Sequence, residues 1–222
     1  MTFDYKKEYK EWYLPPKKPG IITVPKMQYV AVRGTGDPNE SEGAYQKAMG
    51  ILYGISYTIK MSWKGEHAIP GYFSYVVPPL EGLWKMPEGE KIDLTRKGKL
   101  CWISMIRLPE FVTEEVFEWA KNEAGRKKNT DVSKAEFFSY EEGLCVQCMH
   151  IGPYDEEAGT IRKMEQYARK TGYQLDLRED RMHHEIYLGD PRRTSPEKLK
   201  TVIRQPVKQI EAGKKQNPHF IM

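Results

Sequence analysis

Two acidic residues stand in surroundings where a charge is costly. Glu81 lies in Pro79-Leu80-Glu81-Gly82-Leu83-Trp84 and Glu185 in His183-His184-Glu185-Ile186-Tyr187, both strand-like segments. A carboxylate stripped of water is disfavoured in its charged form, so its pKa rises toward the range of a general acid or base unless a partner compensates. Strand alternation puts His183 and Tyr187 on the face that carries Glu185. Glu81 and Glu185 are therefore candidate catalytic groups facing one shared pocket. The plainer reading gives each glutamate an arginine partner, such as Arg33 or Arg181, and a structural role.

Aromatic side chains supply the material for a binding site, with 5 Trp and 14 Tyr in the chain. Trp84, Tyr187, Tyr75, Tyr140, Phe138 and Trp63 fall on elements expected to line the pocket, with Tyr72 and Phe73 beside them. Tyr53 and Tyr57 are one helical turn apart and off their helix's apolar stripe. Such rings stack on a flat apolar ligand and hold a cation over their faces. With His183 they form the expected ligand-binding set, set against the general tendency of aromatics to be core.

Other chemistries find little support. The segment GLCVQCMHIG alternates like a strand, so Cys145 and Cys148 point to opposite faces, unlike the helix-start geometry of a redox C-x-x-C. A total of 3 cysteines gives no disulfide framework. His183-His184-Glu185 has ligand residue types, but adjacent strand side chains diverge, and no second Cys/His pair stands at zinc-finger spacing, so no metal is expected. No G-x-S-x-G, P-loop or post-strand G-x-G-x-x-G occurs, and no organic cofactor is called for. The net charge of +4 is spread among interleaved acids and bases, without the concentrated positive face that nucleic acid requires. No stretch approaches the roughly 20 apolar residues of a bilayer span. The charged start Met1 to Trp12 lacks a secretion signal's apolar core, so the cytoplasm is the expected location. Oligomeric state has no residue signal.

These groups must be positioned by the elements around them. Pro15, Pro16, Pro19 and Pro25 predict an extended arm over residues 1–25. MQYVAVR alternates as a strand ending at Gly34 and Gly36, and Ala44, Ala48, Ile51, Leu52, Ile55 and Ile59 predict a helix over about 42–61. YFSYVV reads as a strand, LEGLWKM follows the Pro78-Pro79 break, and residues 86–99 form a connector. CWISMIRL is a strand, and Thr113 caps the next helix. AEFFSY and LCVQCMHI flank Glu141-Glu142-Gly143 as a hairpin. Asp155 is a candidate cap for a helix with the stripe Ala158, Ile161, Met164 and Ala168, ended by Gly172. MHHEIYLG and LKTVIRQPV are the closing strands, and residues 208–222 a tail.

The halves resemble each other: YVAVRGTG and its helix match CVQCMHIGPYDEE and its helix, each followed by a strand with one acid, PLEGLW and HHEIYL. Repeats over about 26–90 and 99–207 would share a central groove, the natural ligand site. MHIGPYDE, followed by GYQLDLREDRMHHEIYLGDPRRTSPEKLKTVIRQPV, closely resembles the signature of the GyrI-like small-molecule-binding domain. YVAVRG and PLEGLW extend the resemblance over most of Met27 to Val207, and PLEGLW resembles that of a stand-alone subfamily.

That resemblance implies an α+β domain over 26–207: a duplicated strand-helix-strand-strand unit forming a curved antiparallel sheet with packed helices and a central groove. Its ligands are hydrophobic or cationic drug-like compounds. Multidrug-responsive regulators carry a DNA-binding module ahead of this domain, whereas only about 25 proline-rich residues precede the first repeat strand here, which disfavours direct regulation of transcription. Some stand-alone members are similar to cyclopropanoid cyclopropyl hydrolases, which open yatakemycin-type DNA alkylators within an aromatic cage. The implied mechanism has Glu185 or Glu81 activate water while a tyrosine hydroxyl or His183 assists the developing enolate. A non-catalytic multidrug binder or sensor without a DNA-binding domain is the alternative, and an inhibitor of a larger enzyme follows from the family name alone.

Overall fold

The alternating run at Met27 is the second half of a longer strand. The computed structural model describes residues 2–65, 67–87, 93 and 96–210. Half of the expected connector over 86–99, and most of the tail over 208–222, lies outside the described residues. Strand β1 spans Gly20–Thr35, and its first half pairs with the distal half of β4 (Ala135–Ile151), from Gly20 opposite Gln147 to Val24 opposite Gly143. The ladder passes over Pro25, which has no N–H to give. The arm is thus extended only in part: residues 20–25 are strand, and Tyr5–Glu8 (α1) and Lys10–Tyr13 (α2) are single helical turns.

The remaining elements are α3 (Ala44–Lys60), β2 (Leu80–Lys85), β3 (Cys101–Arg107), α4 (Glu114–Lys128), α5 (Glu157–Lys170), β5 (Tyr173–Leu175), β6 (His183–Tyr187) and β7 (Lys200–Gln209). Every ladder is antiparallel, in the order β4-β1-β3-β2-β6-β7, and β4 also pairs with β7. The curved sheet therefore closes into a barrel, with β5 attached to β7. Thr113 caps α4, its hydroxyl accepting from Val116 N.

Two expected elements are absent. Glu141-Glu142-Gly143 is no hairpin turn: β4 runs through it for 17 residues with Gly143 at φ +68°, and β1 stays alongside in one register. YFSYVV is no strand. It follows an irregular path with one bridge, Tyr75 to Phe3, its rings packing against Tyr5 and Phe111 instead of a sheet partner.

Strand parity divides the core. Val30, Val32, Trp84, Trp102 and Ile106 face outward beneath α3 and α4. Tyr29, Ala31, Leu83, Ile103 and Met105 face the barrel interior. Helix α5 lays Met164 and Ala168 on Val146, Cys148, Ile203 and Val207. Cys148 lies under α5, whereas Cys145 contacts Glu142 at its carbonyl on the other face.

Candidate functional site

Strands β2 and β6 are neighbours, with Gly82 opposite Glu185 and Glu81 opposite Ile186. Directly opposed residues share a face, so Glu81 and Glu185 point to opposite sides of the sheet. The pocket expected between these two glutamates is not formed. Neither pairs with an arginine named for it: Arg33 meets Glu136 at 2.7 Å and Arg181 meets Asp176 at 2.6 Å.

Glu81 lies inside the barrel, 1% exposed, in a network of opposite charges. His184 Nδ1 is 3.0 Å from Glu142 Oε1, and its Nε2 is 3.0 Å from Glu81 Oε2, an ion-pair distance without hydrogen-bond alignment. Arg204 donates to Glu142 Oε2 at 3.0 Å, to Gln147 Oε1 at 3.1 Å, and to the Trp12 carbonyl. Burial alone would drive protons off His184, but Glu142 and Glu81 reverse that and hold its pKa up at about 9. Burial would push Glu142 up, but His184 and Arg204 bring it down to about 2. Glu81 and Glu142 thus face His184 and Arg204 in one buried structural assembly.

Glu185 projects outward, 6% exposed, beneath the first turns of α3 and α5. His183 Nε2 is 3.0 Å from Glu185 Oε1, and Gln205 Nε2 is 3.4 Å from the other ring nitrogen. Tyr187 donates its hydroxyl to Glu185 Oε2 at 2.8 Å and accepts from Trp84 Nε1 at 3.0 Å. Tyr45 of α3 stacks on Trp84 with centroids 5.5 Å apart, and Tyr154 meets Tyr187 edge-on at 5.6 Å. The site is thus a carboxyl group, Glu185, held by a histidine and a phenol, with the Trp84, Tyr45 and Tyr154 rings beside them.

A second acid completes it, one that the sequence reading passed over. Glu157, the first residue of α5, is 1% exposed, and its donor atoms lie within 4.8 Å of those of His183 and Glu185. A divalent cation would suit that spacing, in which His183 and Glu185 are hydrogen-bonded to each other. Burial, then the charge and hydrogen bond of Glu185, push Glu157 well above the usual carboxylate range. Burial pushes Glu185 up as well, but hydrogen bonds from His183, Tyr187 and Glu157 outweigh it and lower its pKa. The two shifts run in opposite directions, which makes Glu157 the stronger proton holder of the pair. The signal was present in the sequence: residues 157, 161, 164 and 168 follow one helical stripe, and Ala158, which was expected to start it, is exposed.

The other predicted binding residues scatter. Glu185, His183, Tyr187 and Trp84 come together, and Tyr53 and Tyr57 stand on α3, 36% and 49% exposed. Tyr75 is packed beneath the N-terminal segment. Phe138 and Tyr140 stack on each other at 5.7 Å on the barrel's inner side, away from Glu185. Trp63 is 61% exposed beyond the end of α3. Two open depressions, about 380 Å³ beside the arm at Leu14 and Gln147 and about 300 Å³ at Gln28 and Arg107, lack any such converging acids.

Residues 17–208 match the family described as the GyrI-like small molecule binding domain. The chain is 46% identical to a solved structure described as a hydrolase from Listeria innocua, with a TM-score of 0.85 over 93% of this chain and 100% of that one. An uncharacterized conserved protein from Listeria innocua is 48% identical, with a TM-score of 0.87 over the same shares. The C-terminal domain of EcmrR is 15% identical with a TM-score of 0.53, covering 87% of this chain and 98% of that one, a likeness of fold alone. No curated protein matches. No helix among the described residues is long and apolar enough to cross a membrane.

Proposed function

The chain belongs to the GyrI-like small-molecule-binding domain family, and from that premise we propose that it is a hydrolase that detoxifies cyclopropane-bearing, yatakemycin-type DNA alkylators. The observation that carries this reading is the position of Glu185, fixed by His183 and Tyr187 beneath Trp84, Tyr45 and Tyr154. The description of the 46% identical relative as a hydrolase supports it.

In this reading the rings hold a flat conjugated ligand by stacking. Water attacks the strained ring while Glu185 accepts its proton, a contribution of about 10²–10⁴-fold. Tyr187 is fixed in direction, because the Trp84 indole can only donate to its oxygen and leaves its proton for Glu185. His183 holds the other carboxylate oxygen. Glu81 takes no part in the chemistry and belongs to the barrel's charge network.

Incubating the protein with such a cyclopropane and following its mass tests this. Product heavier by one water is expected. Glu185→Gln should slow turnover by about 10²-fold or more while ligand still quenches tryptophan fluorescence. Stoichiometric quenching by wild type with the ligand unchanged after long incubation would leave a binder or sensor, not an enzyme.

A further inference from the structure

We propose that Glu157 is the second catalytic carboxyl group of this site, the proton donor that works with Glu185 on one substrate. This rests on the hydrolase reading above. Glu157 is buried at the head of α5, its Oε1 has no hydrogen-bond partner, and its donor atoms lie within 4.8 Å of those of Glu185 and His183. Groups facing it are Glu185 from β6, Thr201 from β7, and Asp155 and Tyr154 from the turn before α5. His183 and Tyr187 of β6 and Tyr45 of α3 complete the surroundings of Glu185.

None of these groups is a lysine or arginine, and neither carboxyl makes an ion pair with one among the described residues. Inside the barrel, by contrast, Glu81 and Glu142 face His184 and Arg204. Two buried carboxyls without a fixed cation avoid double ionisation by retaining a proton. Burial and the Glu185 charge keep that proton on Glu157. Its unpartnered oxygen leaves the acid with capacity that folding does not use.

The chemistry balances with this one proton. Water oxygen forms a bond to a cyclopropane carbon, the strained C–C bond breaks, and its electron pair passes through the conjugated ring to the ring carbonyl oxygen. Glu185 takes the proton that water loses, and Glu157 gives its own to that oxygen. The carboxyls lie close enough for the proton then to pass back from Glu185 to Glu157. The sum is substrate plus water, with no oxidant, reductant or metal required.

The test compares wild type, Glu157→Gln and Glu157→Asp by turnover against pH, with infrared spectra of the free protein. Expected is a drop in kcat of about 10²-fold for Glu157→Gln with KM little changed, partial recovery in Glu157→Asp, and loss of the wild type's decline at alkaline pH. Wild type should show the C=O stretch of a protonated carboxylic acid at neutral pH, absent from Glu157→Gln. Wild-type rates in Glu157→Gln, or no protonated carboxyl band, would overturn the proposal while leaving the hydrolase reading intact. Turnover that stops with a chelator and returns with a divalent metal would also overturn it. Absence of turnover by wild type sinks both readings together.

Discussion

The Trp84 indole lies across Gly82, where an added Cβ would meet Nε1 at 2.6 Å and Cε2 at 3.0 Å. That indole is 4% exposed, stacked on Tyr45 and hydrogen-bonded to Tyr187, so it has little room to move. Gly82→Ala should therefore displace it, cost about 1–3 kcal/mol of stability as overpacking does, and loosen the Tyr187 contact to Glu185. Denaturant unfolding and turnover should fall together; a variant with both unchanged would show that the indole is free to shift. The segment PLEGLW then has a physical reading, with its acid inward, its glycine clearing space and its tryptophan outward. Much of this was legible, since His183, Glu185 and Tyr187 share a face by alternation alone. Pairing Glu185 with Glu81 failed because the offset between two strands is set by the ladder, and the proline break before β2 hides it. Glu157 was missed because the apolar stripe, read from residue types alone, starts one position later at Ala158, which is exposed.

The N-terminal arm acts as a plug for one end of the barrel. Arg107 lies 4.6, 4.9 and 5.6 Å from the ring centroids of Tyr5, Tyr9 and Trp12. Tyr5 donates to Glu110 at 2.8 Å, and Gln147 donates to the Glu11 carbonyl at 2.7 Å. The Trp12 carbonyl accepts from Arg204, and Tyr13 donates to Glu81 at 3.4 Å. Removing residues 2–13 strips the buried network of these partners and admits water. We expect a loss of more than about 3 kcal/mol, since breaking one contact to a buried charge already costs about 1.5–3. Urea unfolding of the shortened chain measures this, and an unchanged midpoint would mean that the arm is only draped on the surface. Prolines marked the arm as poor in helix, yet Tyr5, Tyr9 and Trp12 recur at helical spacing, which was the overlooked cue. Likewise Glu141-Glu142-Gly143 has turn composition, but β1 beside it keeps β4 extended, a contact remote in sequence.

Closure of the barrel is a property of the whole chain. The β4 to β7 ladder joins Cys145 to Pro206 and Ile151 to Lys200, contacts that no local pattern announces. The sequence suggested a curved antiparallel sheet, and closure is what creates an interior able to hide Glu81, Glu142, His184 and Arg204. Those charges tie stability to pH. His184 has its pKa raised from 6.5 to about 9, so it binds its proton more tightly folded than unfolded. Its contribution is complete below about pH 6.5 and is lost as pH rises through about 9. Glu142 is lowered from 4.5 to about 2, so its contribution is complete above about pH 4.5 and is lost as pH falls toward 2. Stability from this network should thus be greatest between about pH 4.5 and 6.5. For the fully buried His184 the alkaline loss is on the order of 3 kcal/mol, at about 1.4 kcal/mol per pH unit. Both shifts describe one shared interaction, so the two losses are not summed. Urea midpoints of wild type at about pH 6, 7.5 and 9 should fall steadily, whereas His184→Gln should be less stable at about pH 6 and nearly flat across that range. Arg204→Met, which leaves Glu142 short of a cation, should cost about 3–5 kcal/mol at about pH 6. A wild-type midpoint that rises between about pH 6 and 9 would mean that His184 is neutral in the folded protein.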